Sequence, residues 1–211
     1  MKLNRADLLV YAVTDRAWLG EETLAEQVEK ALKGGATFVQ LREKHLSREE
    51  FLAEAWEIKA LCKQYGVPFV INDDVDIALA VDADGVHVGQ EDMAAAEARR
   101  KLGPDKIIGV TCKTVAQAVE AQAQGADYLG SGAMFPSTAK PEAIPMTPET
   151  LGAICGAVDI PVVAIGGISA ENVQTLRGTG VAGVAVVSAI FAQADIEAAT
   201  RDLKQKVSHI V

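Results

Sequence analysis

Aromatic side chains are scarce in this chain, because Phe, Trp and Tyr together make up 5% of its 211 residues. Basic residues are also outnumbered, since 20 Lys and Arg stand against 29 Asp and Glu and leave a net charge of −9. Proteins that bind nucleic acids rely mainly on Lys and Arg to neutralise phosphates, and those that bind single strands also stack bases on aromatic rings. The composition therefore argues against a nucleic-acid partner. A small anionic substrate remains compatible, because a few cations in a cleft act locally.

Cysteines are few, and no long apolar run is present. Cys62, Cys112 and Cys155 are odd in number, lack CxxC spacing, and follow an N-terminus without a secretory pattern. These features predict reduced thiols and a cytoplasmic protein. The longest uncharged stretch, Gly178 to Ala194, is shorter than the roughly 20 apolar residues that a membrane helix needs. We therefore expect no membrane span.

The three histidines offer no acid–base system. His45 follows a lysine, His209 is near the C-terminus, and His87 falls within a predicted strand, where we interpret it as a hydrogen-bonded interior residue. Cys112 has no evident His or Asp partner to activate it. The sequence therefore does not predict covalent catalysis.

Apolar, strand-like runs recur every 20–30 residues or so, and helical patterns lie between them. Eight such units predict an α/β protein with a single (β/α)8 TIM barrel domain over residues 1–211, since a doubly wound sheet more often stops at five or six strands. The predicted strands are Leu8–Val13, Thr37–Leu41, Phe69–Ile71, Gly85–Val88, Ile107–Val110, Tyr128–Ser131, Pro161–Ile165 and Gly183–Val187. A helix is predicted from Ser47 to Tyr65, with Ser47 and Glu50 forming a capping box.

Polar side chains collect where these strands end, which in a barrel is around one mouth. The segment Gln40 to Lys44 continues the second strand, so residues two apart share a face and Gln40, Arg42 and Lys44 point the same way. Two cations on one face need an anionic partner, either an internal carboxylate or a phosphorylated ligand. The long connection Met134 to Thr147, which contains Lys140, is predicted to cover this mouth or to bind substrate.

Asp73 and Asp92 follow the third and fourth strands and are the candidate metal ligands. Mg²⁺ prefers oxygen ligands and is commonly held by one or two carboxylates together with substrate phosphates. Each aspartate also precedes a helical segment, so helix capping is the alternative interpretation. The neighbouring acids Asp74 and Glu91 could take either role. The nearby cations Arg42 and Lys44 favour a site for a metal and a charged phosphate.

A phosphate site is predicted at the ends of the seventh and eighth strands. Gly166 and Gly167 follow the seventh strand, and Val187 and Ser188 end the eighth, where many barrels bind a phosphate through backbone amides. A tight turn alone would also explain the glycine pair.

Taken together, the motifs resemble those of the thiamine-phosphate synthase family over nearly the whole chain. The motifs that carry the resemblance are Gln40-Leu41-Arg42-Glu43-Lys44, Ile71 to Asp74, Asp84 to Asp92, Gly109 to Thr111, Asp127 to Gly130, Phe135-Pro136 with Lys140, Ala164 to Ile168 and Val187 to Ile190. The resemblance implies a Mg²⁺-dependent enzyme that joins hydroxymethylpyrimidine pyrophosphate to a thiazole phosphate and releases pyrophosphate. It further implies that the C–O bond ionises to a pyrimidine-stabilised cation, which the thiazole nitrogen captures.

The resemblance also assigns residues. It places Mg²⁺ at Asp73 and Asp92, and it gives catalytic roles to Arg42, Lys44, Thr111 and Lys140. The implied ligands of the pyrimidine pyrophosphate are Gln40, Leu41, Arg42, Glu43, Lys44, Asn72, Thr111 and Lys140. The implied ligands of the thiazole phosphate are Ser137, Thr138, Ala139, Gly167, Val187 and Ser188. The partners implied are these two small molecules, and the sequence leaves open whether identical chains form a homo-oligomer.

Two positions depart from the family pattern. Ala139 stands where the family commonly has a second threonine, and Thr111 stands where serine is common. The alternatives are a thiazole tautomerase-like isomerase, which would need neither the carboxylates nor the Gln40 to Lys44 set, and a catalytically silent barrel that binds phosphate ligands. Retention of both motifs argues against the isomerase, and only Ala139 favours the silent protein.

Overall fold

Eight strands alternate with helices in the computed structural model, which describes residues 3–136 and 145–211. The strands are β1 (Val10–Val13), β2 (Phe38–Leu41), β3 (Phe69–Asn72), β4 (Gly85–Val88), β5 (Ile107–Cys112), β6 (Tyr128–Gly132), β7 (Val162–Ile165) and β8 (Gly183–Val186). The α-helices are α1 (Leu24–Gly34), α2 (Arg48–Tyr65), α3 (Val75–Ala80), α4 (Ala95–Leu102), α5 (Val115–Ala123), α6 (Pro148–Ala157), α7 (Ser188–Phe191) and α8 (Ile196–Val207). Short 3₁₀ turns occupy Arg5–Leu8, Arg16–Trp18 and Val173–Leu176.

Every neighbouring pair of strands is parallel, and β1 pairs with both β2 and β8. The sheet therefore closes on itself in chain order, which confirms the predicted single-domain (β/α)8 barrel. None of the helices in the described ranges is long and apolar enough to cross a membrane.

Alternation along each strand divides the core into two layers. On β2, Val39 and Leu41 pack in the layer between sheet and helices, whereas Phe38 packs inside the barrel. The inner layer also contains Tyr11 and Tyr128, whose rings lie edge-on to Phe38. Large rings thus fill the middle of the barrel, and the space above them opens toward the strand ends.

Local hydrogen bonds move several element boundaries from their predicted places. β2 begins at Phe38 because the side chain of Thr37 accepts a hydrogen bond from the Val10 amide, 2.9 Å away, and so caps the strand pair. β7 begins after Pro161, which has no N–H to donate to the ladder. α2 matches its prediction, since Ser47 and Glu50 form the capping box and Gly66 ends the helix with a left-handed φ of 67°.

The first and last long helices, α1 and α8, pack together next to the place where β1 and β8 pair, which we call the seam of the barrel. α1 and α8 pack so tightly that a Cβ atom added to Gly34 would lie 2.5 Å from the Glu197 carbonyl oxygen and 2.6 Å from Thr200 Cβ. Only glycine permits this approach of the two helices, and α8 also packs against β1.

Candidate active site

A cavity of about 220 Å³ opens at the C-terminal ends of the strands, where the sequence predicted the site. Seven of the predicted binding residues line it together. They are Gln40, Arg42, Asn72, Thr111, Gly167, Val187 and Ser188. The cavity therefore brings the predicted pyrophosphate side on β2 and β3 opposite the predicted phosphate side after β7 and β8.

Arg42 is held at this mouth by the loop that follows β1. Its backbone N–H donates to Thr14 Oγ1 over 2.9 Å, and its guanidinium lies 3.4 Å from Asp15 Oδ2. The side chain is about one-third exposed. Its positive charge is thus oriented by a carboxylate while remaining accessible from the cavity.

The predicted metal ligands lie together with Lys44. Lys44 Nζ and Asn72 Nδ2 each lie 2.6 Å from Asp73 Oδ2, whereas Asp92 Oδ2 accepts a hydrogen bond from the Gly89 amide over 2.7 Å. Burial, followed by the adjacent Asp73 carboxylate, raises the pKa of Asp92. Two carboxylates that share a small space with one ammonium form a site that can hold a cation.

The capping alternative does not describe these two aspartates. Asp74, and not Asp73, is the N-cap of α3, and it accepts a hydrogen bond from the Ile77 amide over 2.8 Å. α4 begins after Ala94, which has no capping side chain, so Asp92 does not cap it. Asp73 also has a left-handed φ of 63°, which is uncommon for a residue other than glycine or asparagine. The backbone thereby turns its carboxylate toward Lys44.

Leu41 and Glu43, which the resemblance implied as ligands of the pyrimidine pyrophosphate, do not line the cavity. Leu41 packs in the outer core layer, and the Glu43 side chain is only 3% exposed. Arg16 bridges Glu43 and Glu54, at 3.3 Å and 2.5 Å respectively. Their placement follows from the strand alternation, because the residues between Gln40, Arg42 and Lys44 must face the helices.

The buried Glu43 should make stability depend on pH. Burial and the nearby Glu54 carboxylate raise the pKa of Glu43 to about 7, above its ordinary value of 4.5. The folded state then binds the proton more tightly than the unfolded state, so this contribution to stability is lost as pH rises from about 4.5 to about 7. We expect Glu43→Gln to raise the melting temperature relative to the native protein by a few degrees above pH 7, and less or not at all near pH 5.

Thermal melts across this pH range test the expectation, with Glu49→Gln on the exposed face of α2 as the control. A melting difference that stays constant with pH would contradict the assignment of a raised pKa to Glu43.

Buried polar side chains form the floor of the cavity. His87 lies 3.0 Å from Tyr128 Oη through Nδ1 and 2.9 Å from Thr111 Oγ1 through Nε2. Tyr128 Oη in turn lies 2.8 Å from Tyr11 Oη, which accepts a short hydrogen bond from Gln40. Burial lowers the pKa of His87 to about 4, so the ring is neutral near pH 7. His87 is the hydrogen-bonded interior residue that the sequence predicted.

Sequence reasoning missed the two tyrosines and Lys113, which all adjoin this site. The available signal was alternation. Tyr11 precedes Val13 by two residues and Tyr128 precedes Gly130 by two, so each tyrosine shares a strand face with a cavity-lining residue, one step below the mouth.

Cys112 is buried, and burial raises the pKa of its thiol to about 12, which disfavours the nucleophilic thiolate. The predicted residues Ser137, Thr138, Ala139 and Lys140 lie outside the described residues.

The thiamine monophosphate synthase family model matches residues 10–190. This chain belongs to the thiamine monophosphate synthase family. It is 50% identical over 200 residues to the thiamine-phosphate synthase of Ruminiclostridium cellulolyticum, with 95% of each chain covered. It is 46% identical to thiamine-phosphate synthase 2 of Streptococcus pneumoniae serotype 4, which covers 99% of this chain and 100% of the relative.

A solved structure supports the same family. The thiamine phosphate pyrophosphorylase of Pyrococcus furiosus superposes with a TM-score of 0.90 at 40% identity, with 98% of each chain covered. Membership of the thiamine monophosphate synthase family makes the chain an enzyme, a transferase of thiamine biosynthesis.

Proposed function

We propose that this enzyme joins hydroxymethylpyrimidine pyrophosphate to a thiazole phosphate, giving thiamine phosphate and pyrophosphate. The observation that carries the proposal is the cluster of Lys44, Asp73 and Asp92 beside the cavity that Arg42 lines. Such a cluster suits a pyrophosphate, because the two carboxylates would hold a cation that supplies positive charge, and the two basic side chains would neutralise the remaining charge.

The residues present fit a magnesium ion. Asp73 and Asp92 supply hard oxygen ligands, and their mutual repulsion is relieved when a cation lies between them. In the described ranges no group of three or more His, Cys, Asp or Glu side chains could hold a metal, so substrate oxygens and water would complete the coordination. When bound, Mg²⁺ would neutralise charge on the pyrophosphate.

The chain's own residues would stabilise the departing pyrophosphate. Arg42 is oriented by Asp15, and Lys44, which contacts Asp73, would bind substrate oxygens beside the carboxylates that would hold the metal. Among the described residues we identify no activated nucleophile beside them, since the thiol of Cys112 keeps its proton. This combination favours ionisation of the pyrimidine C–O bond followed by capture of the cation by the thiazole nitrogen. We assign Lys140 to the same charge on the basis of the resemblance.

The opposite wall would bind the thiazole phosphate. Gly166 and Gly167 have positive φ angles of 95° and 64°, and a Cβ atom added to Gly167 would lie 2.5 Å from the Pro136 carbonyl oxygen. Only glycine fits between this turn and the start of the loop that follows β6. Gly167, Val187 and Ser188 line this wall, and Gly167 has no side chain that could obstruct a phosphate.

The decisive experiment mixes the purified protein with both substrates and Mg²⁺ and follows thiamine phosphate and pyrophosphate. We expect the two products in equal amounts and none when a chelator is added. Binding of both substrates without product would instead identify a catalytically silent barrel. Isomerisation of the thiazole alone would identify a tautomerase-like enzyme.

A further inference from the structure

A continuous line of hydrogen bonds crosses the floor of the cavity from β2 to β5. Its members are Gln40, Tyr11, Tyr128, His87 and Thr111, and both of its ends line the cavity. The three middle residues are at most 8% exposed. This line joins two residues that the proposed function assigns to the same substrate.

The barrel is shaped to admit this line. A Cβ atom added to Gly109 on β5 would lie 2.1 Å from Tyr128 Cζ and 2.5 Å from His87 Nδ1. Any other residue at this place would displace the tyrosine ring, the histidine or the strand. Gly109 therefore provides the space in which the two side chains meet.

The donors and acceptors allow one direction to run along the whole line, beginning at Gln40. Gln40 Nε2 can only donate, so Tyr11 Oη accepts from it and has its own proton available for Tyr128 Oη. Tyr128 then donates to His87 Nδ1, which must be unprotonated, and the neutral ring carries its proton on Nε2. His87 Nε2 donates to Thr111 Oγ1, which leaves the threonine hydroxyl proton free for a ligand.

Burial supports the protonation states that this direction requires. It raises the pKa values of Tyr11 and Tyr128, so both hydroxyls keep their protons, and it lowers the pKa of His87. Across the described residues no protein donor bonds to Gln40 Oε1, so the carbonyl end of this amide is the one left for a ligand.

We propose that this line is polarised from Gln40 to Thr111, so that it presents an acceptor at Gln40 and a hydrogen-bond donor at Thr111 to the pyrimidine substrate. The inference rests on the proposed function. An acceptor at Gln40 suits a hydrogen-bond donor on the pyrimidine, and a donor at Thr111 suits an oxygen of the departing pyrophosphate. Tyr11, Tyr128 and His87 are positioning residues that act through these two ends.

The tautomer of His87 tests the direction without any substrate. In protein labelled with ¹⁵N-histidine, two-bond NMR correlations near pH 7 should place His87 Nδ1 in the range of an unprotonated nitrogen and Nε2 in the range of a protonated one. The His87→Gln variant identifies the signals. Removing the donor in Tyr128→Phe should shift the Nδ1 signal. Tyr65→Phe, which loses a hydroxyl that bonds from α2 to Glu29 on α1, should leave it unchanged. A proton on Nδ1 in the native protein would overturn the proposal.

Kinetics test the positioning role. Tyr128→Phe should lower kcat by about 10-fold to 100-fold. Losses of this size are found when a residue that hydrogen-bonds to a metal ligand and orients it is removed. It should leave KM for the thiazole phosphate within about twofold of the native value, and Tyr65→Phe should behave as native. If Tyr128→Phe fails to fold, Tyr11→Phe breaks the line at its previous link. A native kcat in a folded variant would overturn the positioning role. An equal rise in KM for the pyrimidine pyrophosphate and the thiazole phosphate would overturn it too. Absence of turnover in the native enzyme would contradict the proposed function, and the tautomer would still decide the direction of the line.

Discussion

Replacing Asp73 or Asp92 by Asn should reduce Mg²⁺-dependent turnover by about a thousandfold. A bound metal contributes several kcal/mol of charge stabilisation, and each 1.4 kcal/mol or so is a factor of ten in rate. Asn is preferred to Ala at position 73, because Asn tolerates the left-handed φ of 63° that this residue adopts. Initial rates over a Mg²⁺ titration provide the measurement.

The adjacent Asp74 offers a matched control. Asp74→Asn removes the same charge one residue away, and Asn remains a good N-cap for α3. We expect this variant to keep the native rate and Mg²⁺ dependence. The metal assignment fails if Asp73→Asn or Asp92→Asn retains near-native turnover at limiting Mg²⁺, or if a chelator leaves the native enzyme active.

Lys44→Met should weaken binding of the pyrimidine pyrophosphate far more than binding of the thiazole phosphate. The variant keeps much of the side-chain volume but removes a charge-assisted hydrogen bond worth about 1.5–3 kcal/mol, which corresponds to roughly 10-fold to 150-fold in affinity. The ammonium contacts Asp73, on the side of the cavity that we assign to pyrophosphate. Calorimetric titration with each ligand in the presence of Mg²⁺ measures both affinities.

Lys113→Met serves as the control for a general loss of positive charge. Lys113 lines the cavity itself, whereas Lys44 lies beside it, and Lys113 follows β5 and not β2. A smaller effect on the pyrimidine pyrophosphate is expected there. Equal losses for both ligands in Lys44→Met, or equal effects of the two lysine variants, would show that pyrophosphate is not bound where we place it.

The repeating pattern of the chain predicted the barrel because each unit carries its own local signals. Alternation on β2 correctly separated Gln40 from Leu41, and the capping box at Ser47 fixed the start of α2. Strand ends were less predictable. Thr37 looks like a strand residue by propensity, yet its hydroxyl bonds to the backbone of β1, which is a tertiary contact that no local window contains.

Charge marked the candidate site residues in the sequence, whereas the neighbours that packing brings to the cavity left no such mark. Arg42 and Asp73 are conspicuous because charged residues after apolar strands need partners. Tyr11 and Tyr128 are not conspicuous, since a tyrosine within a strand is ordinary, and the two hydroxyls are 117 residues apart in the chain. Leu41 and Glu43 show the opposite error, because a motif was assigned as one block although the pleat divides it between two faces.

Closure of the seam by the last helix affects how the chain can fold during synthesis. β1 is made before the other strands, yet one of its two partners is β8, and the helix that packs against β1 from the end of the chain is α8. The nascent chain must therefore leave the ribosome with one edge of β1 unpaired until nearly the whole sequence has emerged. An exposed strand edge is a place where chains associate wrongly, so the first strand depends longest on protection by chaperones or by transient contacts.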